Sequence, residues 1–180
     1  MKHFPIAAAL VLLLATDAHS QEFKTYAYKD TLKLDVFTPP GLQPGELRPV
    51  MVLFHGGGWV RGTRDVMYPE CRYFVQRGFV TITASYSLLK QGERDKSICL
   101  RDVKSAVRWV LQHAQELHAD STQLVMGGSS AGGHLSSMAA LDTSINAIGE
   151  TTIPIRPKAL ILLNPAYAAT DPVAVAPLIR

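Results

Sequence analysis

The chain has 180 residues, of which 47% are hydrophobic, enough for one domain with its own core and no need for a second. The formal charge is +3, with acids and bases interspersed and no basic tract or aromatic-basic stripe, so nucleic acid is not an expected partner. No internal repeat or low-complexity segment stands out beyond the N-terminus.

Residues 1–20 read as an export signal: Lys2 gives a short charged region, Ile6 to Ala15 an apolar run, and Ala18-His19-Ser20 a small-residue cleavage site before Gln21. A spanning helix wants about 18 apolar residues, and Asp17 and His19 interrupt this run, so no stable membrane insertion is expected after cleavage. The expected product is a secreted or periplasmic domain of residues 21–180. Such compartments permit disulfides. A Cys71–Cys99 bridge is therefore expected, with two separate buried thiols as the alternative, since cysteine is also a common core residue. Closing that 28-residue loop is worth about 3 to 4 kcal/mol in the chain-entropy model.

Phe23 to Lys29 and Leu32 to Phe37 alternate apolar and polar residues and predict an antiparallel hairpin. Thr38-Pro39-Pro40-Gly41 and Pro44-Gly45 break regular structure, and Val50 to Phe54 then form an unbroken apolar run, as in a strand buried on both faces. A glycine-rich loop over 56–62 leads to a helix near Tyr68 to Arg77, stopped by Gly78, and Phe79 to Ala84 is the next strand. Ser97 is placed to cap a long helix whose apolar positions Val103, Ala106, Val107, Val110, Ala114 and Leu117 recur at helical spacing. Its other face carries Arg101, Lys104 and Arg108. Gln123 to Met126 predicts a short strand, Ala131 to Leu141 a helix, and Ala159 to Leu163 a sixth strand. Strand-helix alternation after a hairpin predicts an α/β fold: a mostly parallel sheet, right-handed crossovers, and helices on both faces.

Two motifs carry chemistry. Gly128-Ser129-Ser130-Ala131-Gly132 fits G-x-S-x-G, in which the central serine, Ser130, sits on a sharp turn between strand and helix. Ser129 would be the nucleophile only in a G-x-S-x-A variant. His55-Gly56-Gly57-Gly58-Trp59 follows a buried strand directly and fits the loop whose backbone N–H groups face a developing oxyanion. The expected donors are Gly57, Gly58 and Ala131, each worth about 2.7 to 4 kcal/mol of transition-state stabilisation. His55, Gly56, Trp59, Gly128 and Gly132 are expected to support the site. Nucleotide-loop patterns fail: the glycine after Gly58 falls at Gly62, one place late, and Gly132 is followed by Gly133-His134 rather than Lys and Ser or Thr.

A serine nucleophile needs a histidine base and an acid, in the chain order Ser, acid, His for this motif. After Ser130 the only histidine is His134, which precedes Asp142, Glu150 and Asp171. His134 lies one helical turn from Ser130 and is expected to pack or hydrogen-bond locally, and His55 to hold the glycine loop. His113 and His118 are too far apart around a helix for a metal pair, and neither metal nor cofactor is expected. Tyr86 and Trp59 are candidates for an acyl or sugar pocket, or ordinary core.

On these residues, together with Leu34-Asp35-Val36-Phe37 and Asp102 to Trp109, the chain resembles the α/β-hydrolase superfamily. Within it the likeness is to secreted esterases and lipases of the feruloyl and acetyl-xylan esterase and hormone-sensitive-lipase-like groups. The resemblance implies Ser130 as nucleophile, Gly57, Gly58 and Ala131 as oxyanion hole, and a small-molecule or carbohydrate-linked ester as substrate. It also favours cysteines near positions 71 and 99. The family's acid and histidine follow its seventh and eighth strands; six strands are expected here, so the last strands are expected to be lacking and the chain inactive or nearly so alone. A prolyl-oligopeptidase-type serine peptidase shares the fold and triad logic, and a non-catalytic hydrolase-like binding module is a third alternative.

Overall fold

The computed structural model describes residues 22–150 and 153–167; the expected export signal lies outside them. The strands are β1 (Lys24–Lys29), β2 (Leu32–Phe37), β3 (Arg48–Phe54), β4 (Val80–Ala84), β5 (Ala119–Ser129) and β6 (Ala159–Leu163). The helices are α1 (Tyr68–Val75), α2 (Ser97–Gln112) and α3 (Ala131–Leu141), with a 3-10 turn over Arg64–Met67 before α1. One six-stranded sheet has the order β1-β2-β4-β3-β5-β6. β4, β3, β5 and β6 are parallel, and the β1–β2 hairpin joins antiparallel along β4.

Alternation along β3 sorts the core into two faces. Val50, Val52 and Phe54 join Val103, Val107 and Val110 of α2 and Leu135 and Met138 of α3, while Met51 and Leu53 pack with Phe37, Met67 and Cys71. Helices thus cover both faces, as the unbroken apolar run of β3 requires.

Two expectations change. Cys71 sits in the α1-side cluster and Cys99 in the α2-side cluster, so the sheet stands between them and both are free buried thiols. Their 28-residue spacing would suit a closed loop, but α1 and α2 pack on opposite faces. Second, α2 begins with Ser97 inside it, and the Asp95 carboxylate accepts from the Ser97 N–H at 2.9 Å, so Asp95 supplies the capping oxygen. On the other face of α2, Lys104 and Arg108 are buried under the segment after α3. β5 also extends well beyond Gln123 to Met126, because Ala119 and Asp120 pair with Arg48 and Pro49 before the register shifts and resumes at Leu124.

Candidate active site

β3 is flanked by β4 on one side and β5 on the other, so the chain leaves its C-terminal end in one direction and returns beside it from the other. In open parallel sheets such a switch point is where a crevice forms. Phe54 pairs with Gly128, which brings the loops after β3 and β5 together. These loops are His55 to Trp59 and Ser129-Ser130.

The elbow glycines follow from this proximity. A Cβ on Gly128 would lie 2.2 Å from the Phe54 carbonyl oxygen, and one on Gly132 would lie 2.0 Å from it. Only glycine at both positions lets the strand end, the turn and the start of α3 close onto β3. Ser130 occupies the turn at φ 50°, ψ −113°, a conformation costing on the order of 1–3 kcal/mol for a residue with a side chain. Its backbone is held on several sides: the Ser130 N–H donates to Leu163 O at 2.9 Å, and Ser130 O accepts from Ala166 N–H at 3.0 Å and His134 N–H at 3.1 Å. Leu163 and Ala166 were not singled out from sequence. Asn164-Pro165 after an apolar strand was the available signal, since that pair favours a turn.

The glycine loop stands against this turn. A Cβ on Gly56 would lie 3.1 Å from Ser130 Cβ. Gly57 has φ 118°, and its carbonyl accepts from the Arg61 N–H at 3.2 Å, folding residues 57–61 into a turn. Among the described residues the N–H groups of Gly57 and Gly58 donate to no backbone carbonyl. Ala131 N–H opens α3, where the helix dipole is positive. Gly57 and Gly58 thus follow directly on the glycine that meets the Ser130 turn, and Ala131 follows Ser130 itself.

Buried rings support the loop from below. His55 is 1% exposed, stacks on Tyr86 at 4.4 Å, and places Nδ1 2.7 Å from Gly56 O, while the Tyr86 hydroxyl donates to His55 O at 2.9 Å. Burial lowers the His55 pKa below its ordinary value. Tyr86 is thus bound to the loop and is 2% exposed, packed in the core. Trp59, at φ 66°, meets His134 edge-on at 5.4 Å, and the Lys96 ammonium lies 4.6 Å from the indole centroid. His134 is fully buried between Trp59 and Tyr167. His113 and His118 lie apart from the site: His113 stacks on Trp109, and His118 Nδ1 lies 2.9 Å from Glu46 O.

Two acids that chemistry-bearing motifs did not point to fix the surroundings. Asp35, on β2, is fully buried and accepts from Thr25 Oγ1 at 2.6 Å, Arg64 Nε at 2.5 Å and the Tyr68 hydroxyl at 2.7 Å, anchoring the exit of the glycine loop. Asp102 accepts from Lys29 Nζ at 2.8 Å and the Ser87 N–H at 3.0 Å, fixing the segment that carries Tyr86. A carboxylate inside an otherwise apolar strand, as in Leu34-Asp35-Val36, was the sequence signal for the first.

The BD-FAE family profile matches residues 34–158, which span the glycine loop, the elbow and both acid anchors. The chain belongs to the BD-FAE family. The esterase LipQ of Mycobacterium tuberculosis is 32% identical over 116 residues, covering 64% of this chain and 27% of its own. The probable carboxylesterase 5 of Arabidopsis thaliana is 26% identical over 160 residues, covering 82% of this chain and 49% of its own. Among solved structures, the native esterase Est2 of Thermogutta terrifontis superimposes with a TM-score of 0.74 at 37% identity, over 80% of this chain and 53% of that one. The same esterase phosphorylated by paraoxon gives 0.78 at 35% identity, over 87% and 64%. The BD-FAE chain thus has the α/β-hydrolase sheet of these esterases, and spans between about a quarter and a half of the length of these two curated relatives.

Proposed function

We propose that this BD-FAE chain carries the nucleophile and oxyanion hole of a carboxylic-ester hydrolase. The observation that carries the reading is the strained Ser130 turn set against Gly56 of the glycine loop; the N–H groups of Gly57, Gly58 and Ala131 are assigned as its oxyanion donors. In this reading Ser130 Oγ attacks the ester carbonyl carbon while a histidine takes its proton, and the three N–H groups stabilise the resulting oxyanion. Collapse expels the alcohol, which receives that proton, and leaves acyl-Ser130. Water then adds to the acyl carbon, and the carboxylic acid leaves as Oγ regains a proton. No acid followed by a histidine lies between Ser130 and Arg180. The chain spans about a quarter to a half of the length of these relatives, so the activity is proposed for a polypeptide that also supplies the acid and the histidine. The substrate class is a small-molecule or carbohydrate-linked ester. The relatives named above are called esterases and carboxylesterases, which favours this over a serine peptidase.

A fluorophosphonate probe incubated with the complete polypeptide tests the assignment. Covalent labelling at Ser130 and loss of p-nitrophenyl ester hydrolysis in Ser130→Ala are expected; undiminished hydrolysis in that variant would end the idea. Residues 1–20 are proposed as a cleaved export signal, supported by their charge and apolar pattern. Mass spectrometry of the exported protein should give an N-terminus at Gln21, and an intact Met1 in that fraction would refute cleavage.

A further inference from the structure

The glycine loop leans on a segment that lies outside both hydrolytic motifs. Residues 85–89, which follow β4, meet the loop at its first and last residues: the Tyr86 hydroxyl donates to His55 O at 2.9 Å, and the Leu89 N–H donates to Trp59 O at 2.8 Å. The segment is itself tied down. The Ser85 N–H donates to Lys33 O at 2.9 Å, Ser85 O accepts from the Tyr28 hydroxyl at 2.7 Å, and the Ser87 N–H donates to the buried Asp102 carboxylate at 3.0 Å.

Peptide planarity decides what this clamp controls. Among the described residues no peptide bond is cis, so each carbonyl and the N–H of the following residue point in opposite directions within one plane. Fixing Gly56 O therefore aims the Gly57 N–H, and fixing Gly57 O aims the Gly58 N–H. Both carbonyls are held: His55 Nδ1 lies 2.7 Å from Gly56 O, and Gly57 O accepts from the Val60 and Arg61 N–H groups at 3.3 and 3.2 Å. A carbonyl only accepts, so Nδ1 is a protonated nitrogen of the His55 ring. That ring has little freedom to turn. It stacks on Tyr86 with centroids 4.4 Å and planes 13° apart, and a Cβ on Gly62 would lie 2.5 Å from its Nδ1. Tyr86 thus holds His55 twice, ring on ring and hydroxyl on carbonyl, and is itself 2% exposed. Burial raises the Tyr86 pKa, so the hydroxyl keeps the proton it donates.

We propose that Tyr86 is a positioning residue for the oxyanion loop: through His55 and Gly56 O it sets the direction of the Gly57 N–H. The role rests on the proposed ester hydrolysis, in which Gly57 is an oxyanion donor. Tyr86 acts through His55 and not on the substrate.

Tyr86→Phe in the complete polypeptide tests it, because phenylalanine keeps the stacked ring and removes only the hydroxyl. With p-nitrophenyl butyrate, kcat should fall about tenfold at a KM within about twofold of the parent, a smaller loss than the roughly 10²–10³ that removing an oxyanion donor costs. A trifluoromethyl ketone gives a second readout: Ser130 Oγ bonds its carbonyl carbon, the serine proton passes to the histidine, and the ketone oxygen becomes the oxyanion. Its Ki should rise by the same factor of about ten. Tyr28→Phe loosens the same segment from β1, and should lower kcat about two- to threefold even if Tyr86→Phe fails to fold. A folded Tyr86→Phe with unchanged kcat, a rise in KM alone, or an unchanged Ki would overturn the role; if Tyr86→Phe does not fold, an unchanged kcat in Tyr28→Phe would do so. Ser130→Ala assayed alongside separates the two claims. Undiminished hydrolysis in it refutes the nucleophile, whereas an inactive Ser130→Ala beside a fully active Tyr86→Phe refutes only the positioning.

Discussion

Asp35 and Arg64 offer a sharp energetic test of how the glycine loop is anchored. The Asp35 carboxylate is fully buried, whereas the Arg64 side chain is 27% exposed, so the pair is asymmetric with respect to water. Removing Arg64 leaves a dry negative charge with, among the described residues, only the Thr25 and Tyr68 hydroxyls as donors. Breaking a buried pair this way costs about 3–5 kcal/mol, mostly the penalty of the orphaned charge rather than the worth of the bond. For a chain of this size about 1 kcal/mol moves the melting temperature by roughly 2–4 °C. Arg64→Met should therefore melt about 6–20 °C below the parent. If the orphaned charge is the cause, neutralising it should help: adding Asp35→Asn to Arg64→Met should recover about 2 kcal/mol, or roughly 4–8 °C. Thermal and urea unfolding followed by circular dichroism read both steps. An Arg64→Met variant melting within about 2 °C of the parent, or a double variant less stable than Arg64→Met, would refute the account.

The cysteines and His55 give further checks. Burial pushes the Cys71 thiol up to about 12 and the Cys99 thiol up to about 11, so at pH 8 the folded chain should give almost no reaction with Ellman's reagent. Denaturation without reductant should release two thiols, whereas none would show that the cysteines are bridged after all. Because burial depresses the His55 pKa, the unfolded chain binds a proton at higher pH than the folded one. Stability is then full above pH about 6.5 and is lost as pH falls below it. The stability difference between pH 7.5 and 5.0 should shrink in His55→Gln, and equal differences in parent and variant would contradict that origin.

Much of the fold was legible because its signals are local. The Val50–Phe54 run, the alternation in Leu32–Phe37 and the helical spacing from Val103 to Val110 each name an element, and each element formed. What was not legible depends on which face an element packs against. Cys71 and Cys99 lie on opposite sides of the sheet, a fact of crossover geometry that no spacing encodes. Lys104 and Arg108 look like solvated helix positions until the chain after α3 folds back over them with carbonyl acceptors at Asp142, Ile145 and Ile153. Within the site, the elbow and glycine loop were visible as motifs. Their supports, Leu163 and Ala166, were not, because plain backbone groups do that work.

Those supports explain how a strained serine persists. A turn costing on the order of 1–3 kcal/mol relaxes unless its surroundings over-determine it. At Ser130 the N–H is tied to β6, the carbonyl to Ala166 and to α3, and the flanking glycines press directly on Phe54. Relaxing the turn would cost several of these contacts at once, and would separate the serine from the loop that Phe54 launches. The conformation of Ser130 is therefore fixed by the same close packing that brings Gly56 against it. The elbow and the glycine loop are in this sense one structural unit, built on the ends of β5 and β3.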